Sequence, residues 1–326
     1  MGERLVLNNV TKVYRTRGSG KAWGRKEATV AVQSVSLAVR TGEVLALVGE
    51  SGSGKTTVAL LAARLIKPLA GDVAYFDDAS NDKSYSRLEF SRLVQIIFQD
   101  PTSALNPRQT VREILLAPLI LHKGGTRKSL VHQVFELLER VGLRPADLYA
   151  DRFPHQLSGG QKQRVCIARA LSVQPKIVIA DEPVSALDVS VQGQILQLLL
   201  NLQRDEGIGV LLISHDLAVV SAVADRVAVM YRGRVIETGD SAKIFQKHRH
   251  PYTQLLLAST PVPDPAAGKL RPSAISDRNP LAVATDHGGC AFEPRCPLAH
   301  DRCVVEPPRM TLVGQDHEVA CYAVES

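Results

Sequence analysis

The chain has 326 residues, of which 45% are hydrophobic, 22% charged and only 5% aromatic, and its formal net charge is +6. This length allows a large core and two domains. No segment approaches the roughly 18 consecutive apolar residues that a membrane-spanning helix needs, and the start of the chain, with Glu3 and Arg4, does not fit a signal peptide. We therefore expect any membrane-spanning part to be another chain.

The N-terminal region, residues 5–39, has the pattern of strands and contains a basic loop at residues 15–26. Residues 1–30 hold seven Lys or Arg and two Glu. We interpret the loop as a solvated hairpin tip, with contact to anionic lipid headgroups or to nucleic acid as the alternatives. Aromatic residues are too sparse there for a base-stacking platform, so no nucleic-acid partner is expected.

A glycine-rich loop follows the apolar strand predicted at residues 44–48 and precedes a helical pattern at residues 57–65. Its sequence, Gly49-Glu50-Ser51-Gly52-Ser53-Gly54-Lys55-Thr56, matches a phosphate-binding loop. Glycine lets backbone N–H groups turn inward around phosphates, and the helix points its positive end at the anion. We expect Lys55 to reach the β- and γ-phosphates and the Thr56 hydroxyl to bind Mg²⁺.

A second anion site is predicted within a mainly helical stretch, residues 111–172. It contains Leu157-Ser158-Gly159-Gly160-Gln161. Ser158 and Gln161 have the spacing of a capping box, which predicts a helix over residues 161–172. Gly159 and Gly160 leave the N-terminus of that helix bare, and a bare helix N-terminus favours an anion.

Two adjacent carboxylates, Asp181 and Glu182, end an apolar strand predicted at residues 176–180. Such a pair is costly to bury unless it meets a cation or performs chemistry. Asp181 suits a metal-binding role, and Glu182 is placed to polarise or deprotonate an attacking water. Further strands at 210–213 and 227–230, with helices at 191–205 and 217–222, predict an α/β core with an antiparallel edge and an inserted helical subdomain at about residues 100–172.

Together these motifs resemble the ATP-binding subunits of ATP-binding-cassette (ABC) transporters, in which LSGGQ is the signature motif. The resemblance covers about residues 4–260. Tyr14 is similar to the aromatic residue that stacks on adenine, Gln99 to the Q-loop glutamine, residues 185–188 to the D-loop and His215 to the switch histidine. The resemblance implies that two cassettes pair head to tail, so that the signature of one covers the ATP held by the other.

The resemblance also implies a set of site residues. ATP contacts are expected from Tyr14, Gly49, Ser51, Gly52, Ser53, Gly54, Lys55, Thr56, Thr57, Gln99 and Asp181. Contacts to the partner's ATP are expected from Ser158, Gly159, Gly160 and Gln161. Mg²⁺ is expected at Thr56, Gln99 and Asp181. Catalytic roles are expected for Lys55, Gln99, Glu182 and His215.

A finer resemblance is to the dipeptide, oligopeptide and nickel importer subfamily, carried by QDPTSALNPR at residues 99–108 and HPYTQLL at residues 250–256. It implies an ATPase on the cytoplasmic face of the cell membrane that energises import of dipeptides or oligopeptides. Implied partners are a related second cassette in a heterodimer, two transmembrane permease subunits and, indirectly, an extracytoplasmic substrate-binding protein. The alternatives are a nickel importer and a soluble ABC ATPase acting on nucleic acid or ribosomes. The absence of a second cassette or sustained heptads favours the transporter.

The composition changes beyond residue 260, which divides a predicted nucleotide-binding domain at residues 1–260 from a Pro-rich linker and small Cys-rich C-terminal region at 261–326. Cys290, Cys296, Cys303 and Cys321 lie there, whereas Cys166 is expected in the core. In a cytosolic protein clustered cysteines indicate metal rather than disulfides.

The spacing of the four cysteines does not identify the metal. The intervening counts of five, six and seventeen residues do not fit common zinc modules. Cys296-Pro297 is typical of ferredoxin-type sites, and a similar tail in some members of the resembling subfamily favours a [4Fe-4S] cluster. Zinc and reduced thiols are the alternatives.

Overall fold

The computed structural model describes residues 2–17, 26–77, 85–259 and 288–324. The centre of the basic loop and the Pro-rich linker lie outside these residues, so what the sequence predicts for both stays a prediction. The strands are β1 (Arg4–Arg17), β2 (Lys26–Arg40), β3 (Val44–Val48), β4 (Ala70–Phe76), β5 (Val94–Ile97), β6 (Ile177–Asp181), β7 (Gly209–Ile213), β8 (Arg226–Tyr231), β9 (Arg234–Asp240), β10 (Thr311–Gly314) and β11 (His317–Val319).

The helices fall between and after these strands. They are α1 (Lys55–Ala62), α2 (Arg87–Leu93), α3 (Pro101–Ala104), α4 (Val111–Lys123), α5 (Arg127–Arg140), α6 (Asp147–Ala150), α7 (Gly159–Leu171), α8 (Val189–Glu206), α9 (Leu217–Val223), α10 (Ser241–Lys247), α11 (Pro251–Ala258) and α12 (Asp301–Val305). Three 3₁₀ turns are Pro154–Gln156, Glu293–Arg295 and Tyr322–Val324.

The main sheet has the strand order β10-β11-β9-β8-β3-β7-β6-β5. Strands β8, β3, β7, β6 and β5 are parallel, and β9, β11 and β10 extend one edge in antiparallel pairing. Every residue of β3, β6 and β7 is buried, as expected for Val-, Ile- and Leu-rich parallel strands covered on both faces. The predicted strands at 176–180, 210–213 and 227–230 and the antiparallel edge are confirmed.

A second, antiparallel sheet of order β2-β1-β4 covers one face of the main sheet. Its two long strands pair from Arg4↔Arg40 to Arg17↔Lys26, which confirms the strands predicted at 5–39. Leu5 and Val39 pack with Leu47 of β3 and Leu61 of α1 in one buried cluster. This packing holds α1, and with it the glycine loop, between the two sheets.

Helices α3 to α8 cover the other face of the main sheet. Their apolar residues, such as Leu115, Leu138 and Ile167, pack with Val178 and Leu212. The signature helix α7 begins at Gly159, two residues before the predicted start. The capping box is confirmed, because Gln161 N–H donates to Ser158 Oγ at 3.3 Å and Ser158 N–H donates to Gln161 Oε1 at 3.0 Å.

The C-terminal residues join the main sheet. Strand β11 pairs with β9 in the register His317↔Gly239 to Val319↔Glu237, and β10 completes the edge. Phe292 lies in a buried cluster with Tyr231 of β8 and Tyr252 of α11. Residues 288–324 thus share both a sheet and a core with the preceding domain. Across the described residues, no helix is both long enough and apolar enough to cross a membrane.

Candidate nucleotide site

The functional side chains meet where parallel strands end. In the sheet, Asp181 at the end of β6 lies opposite Ile213 at the end of β7, and Leu47 near the end of β3 also pairs with Ile213. The glycine loop (residues 49–56), Glu182 and His215 follow these three strands directly. Because the carboxyl ends of parallel strands open at one edge, this is the expected place for a ligand site in such a sheet.

The glycine loop needs its glycines for steric reasons. A Cβ on Gly49, where φ is +153°, would lie 2.1 Å from the carbonyl oxygen of Met230. A Cβ on Gly54, where φ is +105°, would lie 2.3 Å from the carbonyl oxygen of Ala31. Both values are shorter than any tolerable contact, so only glycine permits this loop path.

Lys55 is buried at the first position of α1 and donates from Nζ to the carbonyl oxygens of Gly49 at 2.8 Å and Glu50 at 3.0 Å. Burial lowers the pKa of Lys55, and the charges of Glu182, Asp181 and Glu50 oppose that shift. Carbonyl oxygens of its own loop hold the ammonium beside several carboxylates. An anionic phosphate would offer the same cation a stronger partner.

The loop residues fit a phosphate group. The Ser53 hydroxyl is buried and has no hydrogen-bond partner among the described residues, and the cap residue Gly54 supplies no side-chain bond to the N-terminus of α1. Buried polar groups are rarely left unpaired, and free N–H groups at a helix start attract anions. Ser51 and Gly52 lie exposed beside them, and Thr57 is half-buried in the first turn of α1.

Thr56 and Asp181 are suited to hold Mg²⁺. The Thr56 hydroxyl donates to Asp181 Oδ1 at 3.4 Å, and Asp181 is buried. Burial raises the pKa of Asp181 and the neighbouring Glu182 adds to this, whereas Thr56 and Lys55 act in the opposite direction. A hydroxyl and a single carboxylate match the way Mg²⁺ binds between protein and phosphates. Gln99, the third predicted ligand, donates its described side-chain hydrogen bond to Glu182.

Glu182 is held from two sides. Gln99 Nε2 donates to Glu182 Oε2 at 2.9 Å, and His215 Nδ1 lies 3.2 Å from the same oxygen. Its backbone has a φ of +46°, and its N–H donates to the Ile213 carbonyl at 3.0 Å. A non-glycine residue in the left-handed region is strained, and such strain is typical of functional positions. The structure therefore brings together Lys55, Thr56, Gln99, Asp181, Glu182 and His215.

The signature residues lie elsewhere. An added Cβ on Gly159 would lie 3.3 Å from Leu187 Cδ2, and one on Gly160 would lie 2.6 Å from Val191 Cγ1. The signature therefore packs against the predicted D-loop and α8. No hydrogen bond of the described residues links Ser158 or Gln161 to the glycine loop. Tyr14 lies on β1 and is 39% exposed, and Lys12 Nζ lies 5.6 Å from its ring centre.

The four C-terminal cysteines come together. All four carry free thiols and line one small cavity with His250 and Phe292. Burial raises the pKa of Cys290 and of Cys321, and that of Cys296 to about 11. However, the residues that the structure describes contain no group of three or more His, Cys, Asp or Glu placed to hold a metal ion. The predicted metal centre at Cys290, Cys296, Cys303 and Cys321 is thus not supported by this arrangement. Cys166 is buried in α7, as predicted.

A contact to the glycine loop was not predicted from the sequence. Arg295 forms a two-pronged ion pair with Glu50, and the Glu50 N–H donates to the Tyr252 hydroxyl at 2.9 Å. Tyr252 belongs to the HPYTQLL segment, which was recognised by resemblance without any chemical role. In the sequence, the HPYTQLL segment was the only feature that could have indicated this contact.

Comparison with known proteins now gives the family. The family described as "ABC transporter" matches residues 32–185, and the one described as "Oligopeptide/dipeptide transporter, C-terminal region" matches residues 236–303. "Probable peptide ABC transporter ATP-binding protein y4tS" of Sinorhizobium fredii is 44% identical over 322 residues, 98% of this chain and 89% of that protein. Glutathione import ATP-binding protein GsiA of Salmonella paratyphi A is 48% identical over 254 residues, 78% of this chain and 40% of GsiA.

A solved structure agrees with this assignment. The dimeric, post-hydrolysis ATP-binding cassette MJ0796 bound to ADP and Pi is 32% identical, with a TM-score of 0.58 over 73% of this chain and 98% of MJ0796. The chain belongs to the ATP-binding subunits of ABC transporters and has their mixed α/β cassette fold. It is an ATPase of the kind coupled to transport, and it carries the C-terminal region of oligopeptide and dipeptide transporters.

Proposed function

We propose that this chain hydrolyses ATP to energise the import of peptides or oligopeptides through a multi-subunit ABC transporter. The single observation that carries the catalytic part is the Glu182 carboxylate, held by Gln99 and His215 beside Lys55, Thr56 and Asp181. The peptide part is supported by the oligopeptide/dipeptide transporter match at residues 236–303 and by the peptide-transport name of the Sinorhizobium relative.

The roles of the residues follow from their positions. The glycine loop binds the phosphates through its N–H groups, and Lys55 exchanges its two loop carbonyls for phosphate oxygens. Thr56 and Asp181 would hold Mg²⁺, which would supply positive charge to the phosphates. Glu182 accepts a proton from the attacking water at its carboxylate, and His215 and Gln99 orient that carboxylate. Tyr14 supports the adenine, and Thr57 extends the phosphate contacts.

The second half of each site comes from another cassette. Ser158, Gly159, Gly160 and Gln161 lie at the N-terminus of α7 and bond within their own helix rather than to this chain's glycine loop. They are free to cover the nucleotide of a head-to-tail partner. The dimeric form of the related cassette MJ0796 supports an association of two cassettes. We propose a heterodimer with a related second cassette.

The remaining partners follow from the transporter class. Two membrane permease subunits would receive the helical subdomain and the Gln99 loop, and an extracytoplasmic binding protein would deliver the peptide. The chain would then lie on the cytoplasmic face of the membrane as a peripheral subunit. Nickel as the cargo is the runner-up within the same subfamily. The names of the similar proteins do not favour a soluble ATPase acting on nucleic acid or ribosomes.

The test is affinity purification of the tagged chain from detergent-solubilised membranes, followed by mass spectrometry and a vanadate-sensitive ATPase assay. We expect two permease subunits, a second cassette and a peptide-binding protein, with ATPase activity stimulated by a dipeptide or oligopeptide. If Ni²⁺ stimulated the ATPase activity and peptides did not, the cargo would be nickel rather than a peptide. Recovery with RNA or ribosomes and without permeases would contradict the transporter.

An iron–sulfur cluster at the C-terminal cysteines is a separate proposal. It is favoured by one observation, namely that four thiols from a 32-residue segment line a single cavity. Four thiolates are the usual ligands of a [4Fe-4S] cluster, although the described placement holds no metal-binding group. Anaerobic purification should yield iron and acid-labile sulfide that are lost in Cys303→Ser and kept in Cys166→Ser. Zinc in their place, or no metal, would contradict the cluster.

A further inference from the structure

The 3₁₀ turn Glu293–Arg295 brings the C-terminal segment directly to the glycine loop. Arg295 Nη1 donates to Glu50 Oε2 and Nη2 donates to Glu50 Oε1, each at 3.1 Å. This is the parallel, two-pronged geometry in which guanidinium groups bind carboxylates best. The two residues are 245 positions apart in the chain, so the pair links the end of the protein to the loop that receives the phosphates.

Glu50 is held at every polar group it has. Its N–H donates to the buried Tyr252 hydroxyl at 2.9 Å, and its carbonyl accepts from Lys55 Nζ at 3.0 Å. Its carboxylate is bound by Arg295. Two of these three contacts come from C-terminal elements, α11 and the 3₁₀ turn. Residue 50 is therefore a fixed point of the loop, next to Ser51 and Gly52, which are exposed.

The position of Arg295 is itself set by a buried aromatic cluster. Its guanidinium lies 5.9 Å from the Tyr231 ring centre and 5.7 Å from that of Phe292. The rings of Tyr231, Tyr252 and Phe292 pack with centres 4.5–5.5 Å apart. This cluster joins β8, α11 and the C-terminal segment. Packed aromatic rings therefore hold the Arg295 side chain beside Glu50.

Because Glu50 is negatively charged, its ion pair with Arg295 affects how the loop binds an anionic ligand. A free carboxylate in a phosphate-binding loop repels phosphate, and the charge of Glu50 also acts on Lys55, whose pKa it raises against the effect of burial. Pairing with Arg295 places a guanidinium charge against that carboxylate and offsets its charge. The side chains retain 21% exposure for Arg295 and 42% for Glu50, so solvent screens part of the interaction.

We propose that Arg295 is a positioning residue for ATP binding, which holds the glycine loop in its binding geometry and neutralises Glu50 through their ion pair. This rests on the proposed ATP site. It gives the C-terminal segment a role in the ATPase cycle: displacement of the turn Glu293–Arg295 weakens the hold on nucleotide. Cys296 follows Arg295 directly and, like Glu293 of the turn, lines the cysteine cavity.

The test compares ATP affinity by titration calorimetry of the full-length chain, and KM and kcat in the purified transporter. For Arg295→Ala we expect KM and Kd for ATP to rise about fivefold, with kcat changing less than KM, because a partly screened ion pair of good geometry is lost. Arg295→Lys should recover part of the affinity. In Glu50→Ala the anion itself is removed, so the double variant Glu50→Ala/Arg295→Ala should bind ATP more tightly than Arg295→Ala alone.

A matched control lies in the same segment. Arg302 also pairs with a glutamate, Glu306, and stacks on Tyr322, and these two contacts stay within the C-terminal segment. Arg302→Ala should leave Kd for ATP unchanged. Unchanged affinity in Arg295→Ala, or an equal loss of affinity in Arg302→Ala, would overturn the proposal, the second because it would mean general damage to the segment. Normal ATP binding by Lys55→Ala would instead overturn the nucleotide site itself.

Discussion

The side-chain amide of Gln99 donates a hydrogen bond of 2.9 Å to the carboxylate of Glu182. Glu182 is the first residue after β6. Gln99 lies after the end of β5, in the connection to helices α3 and α4. The bond therefore ties the candidate water-activating carboxylate to the start of the helical layer. A shift of that layer changes a partner of Glu182, and this provides a physical route from a membrane partner to hydrolysis.

Gln99→Ala should slow hydrolysis more than it weakens ATP binding. Glu182 would keep His215 as a partner but lose one of the two groups that orient its carboxylate. We expect kcat to fall about tenfold, a fraction of the total contribution of a general base. Steady-state kinetics on the purified transporter measure kcat and KM separately. A rise in KM at constant kcat would show that Gln99 acts on binding instead.

Lys55→Ala should weaken ATP binding itself. The ammonium is buried in the loop and directed at loop carbonyls that phosphate would replace. Loss of a charge-assisted contact should raise Kd for ATP at least about tenfold. Lys176→Ala is a suitable control, because that lysine pairs with Glu3 on the surface. Equal affinity in Lys55→Ala and Lys176→Ala would refute the assigned role.

Ser158→Ala should destabilise the chain and impair the transporter. The Ser158 hydroxyl accepts the N–H of Gln161 and starts α7. Removing an N-cap of this kind lowers the free energy of unfolding by about 1 kcal/mol, which urea denaturation measures. Ser221→Ala, which removes a hydroxyl bonded to Ala218 within α9, should have a smaller effect. In the transporter, the ATPase defect should exceed what this loss of stability explains, because we propose that Ser158 contacts the partner's nucleotide.

His250 should make stability depend on pH. Burial lowers the pKa of His250 from 6.5 to about 4, against an opposing effect of Glu237. Its neutral Nδ1 accepts the Tyr252 N–H at 3.0 Å and caps α11. A base with a lowered folded pKa takes up protons more readily when unfolded, so its contribution is complete above pH 6.5 and is lost as pH falls towards 4. The free energy of unfolding should fall by up to about 3 kcal/mol through this one residue.

The variant His250→Asn distinguishes the helix-capping role of His250 from the effect of its protonation. An Asn side chain also caps helices but does not titrate in this pH range. His250→Asn should therefore flatten the pH dependence of the unfolding free energy between pH 6.5 and 4 relative to the wild type. His132→Asn, at an exposed position of α5, should keep the wild-type slope. Parallel slopes in wild type and His250→Asn would contradict the assignment.

The sequence allowed the central site to be predicted because its information is local. The glycine loop, the capping box of Ser158 and the carboxylates after β6 each depend on a few consecutive residues and on strand and helix patterns around them. Strand ends converge wherever a sheet is parallel, so the meeting of Lys55, Asp181 and Glu182 followed from the fold class.

Other features depended on contacts that no local pattern records. The pairing of Arg295 with Glu50 joins residues 245 positions apart. Strands β10 and β11 have four and three residues, too few for a clear alternating pattern, so their addition to the main sheet was not predicted. The left-handed backbone of Glu182 is imposed by its surroundings, since glutamate itself disfavours that conformation.

The most direct test of the account is Glu182→Gln in the purified transporter, with ATP affinity and hydrolysis measured on the same preparation. The glutamine keeps the size of the side chain and leaves the phosphate loop intact, but it cannot take a proton from water. We predict unchanged or tighter ATP binding and a loss of hydrolysis of about a hundredfold or more. Hydrolysis at the wild-type rate would contradict the assignment of Glu182 as the base, and with it the proposed mechanism.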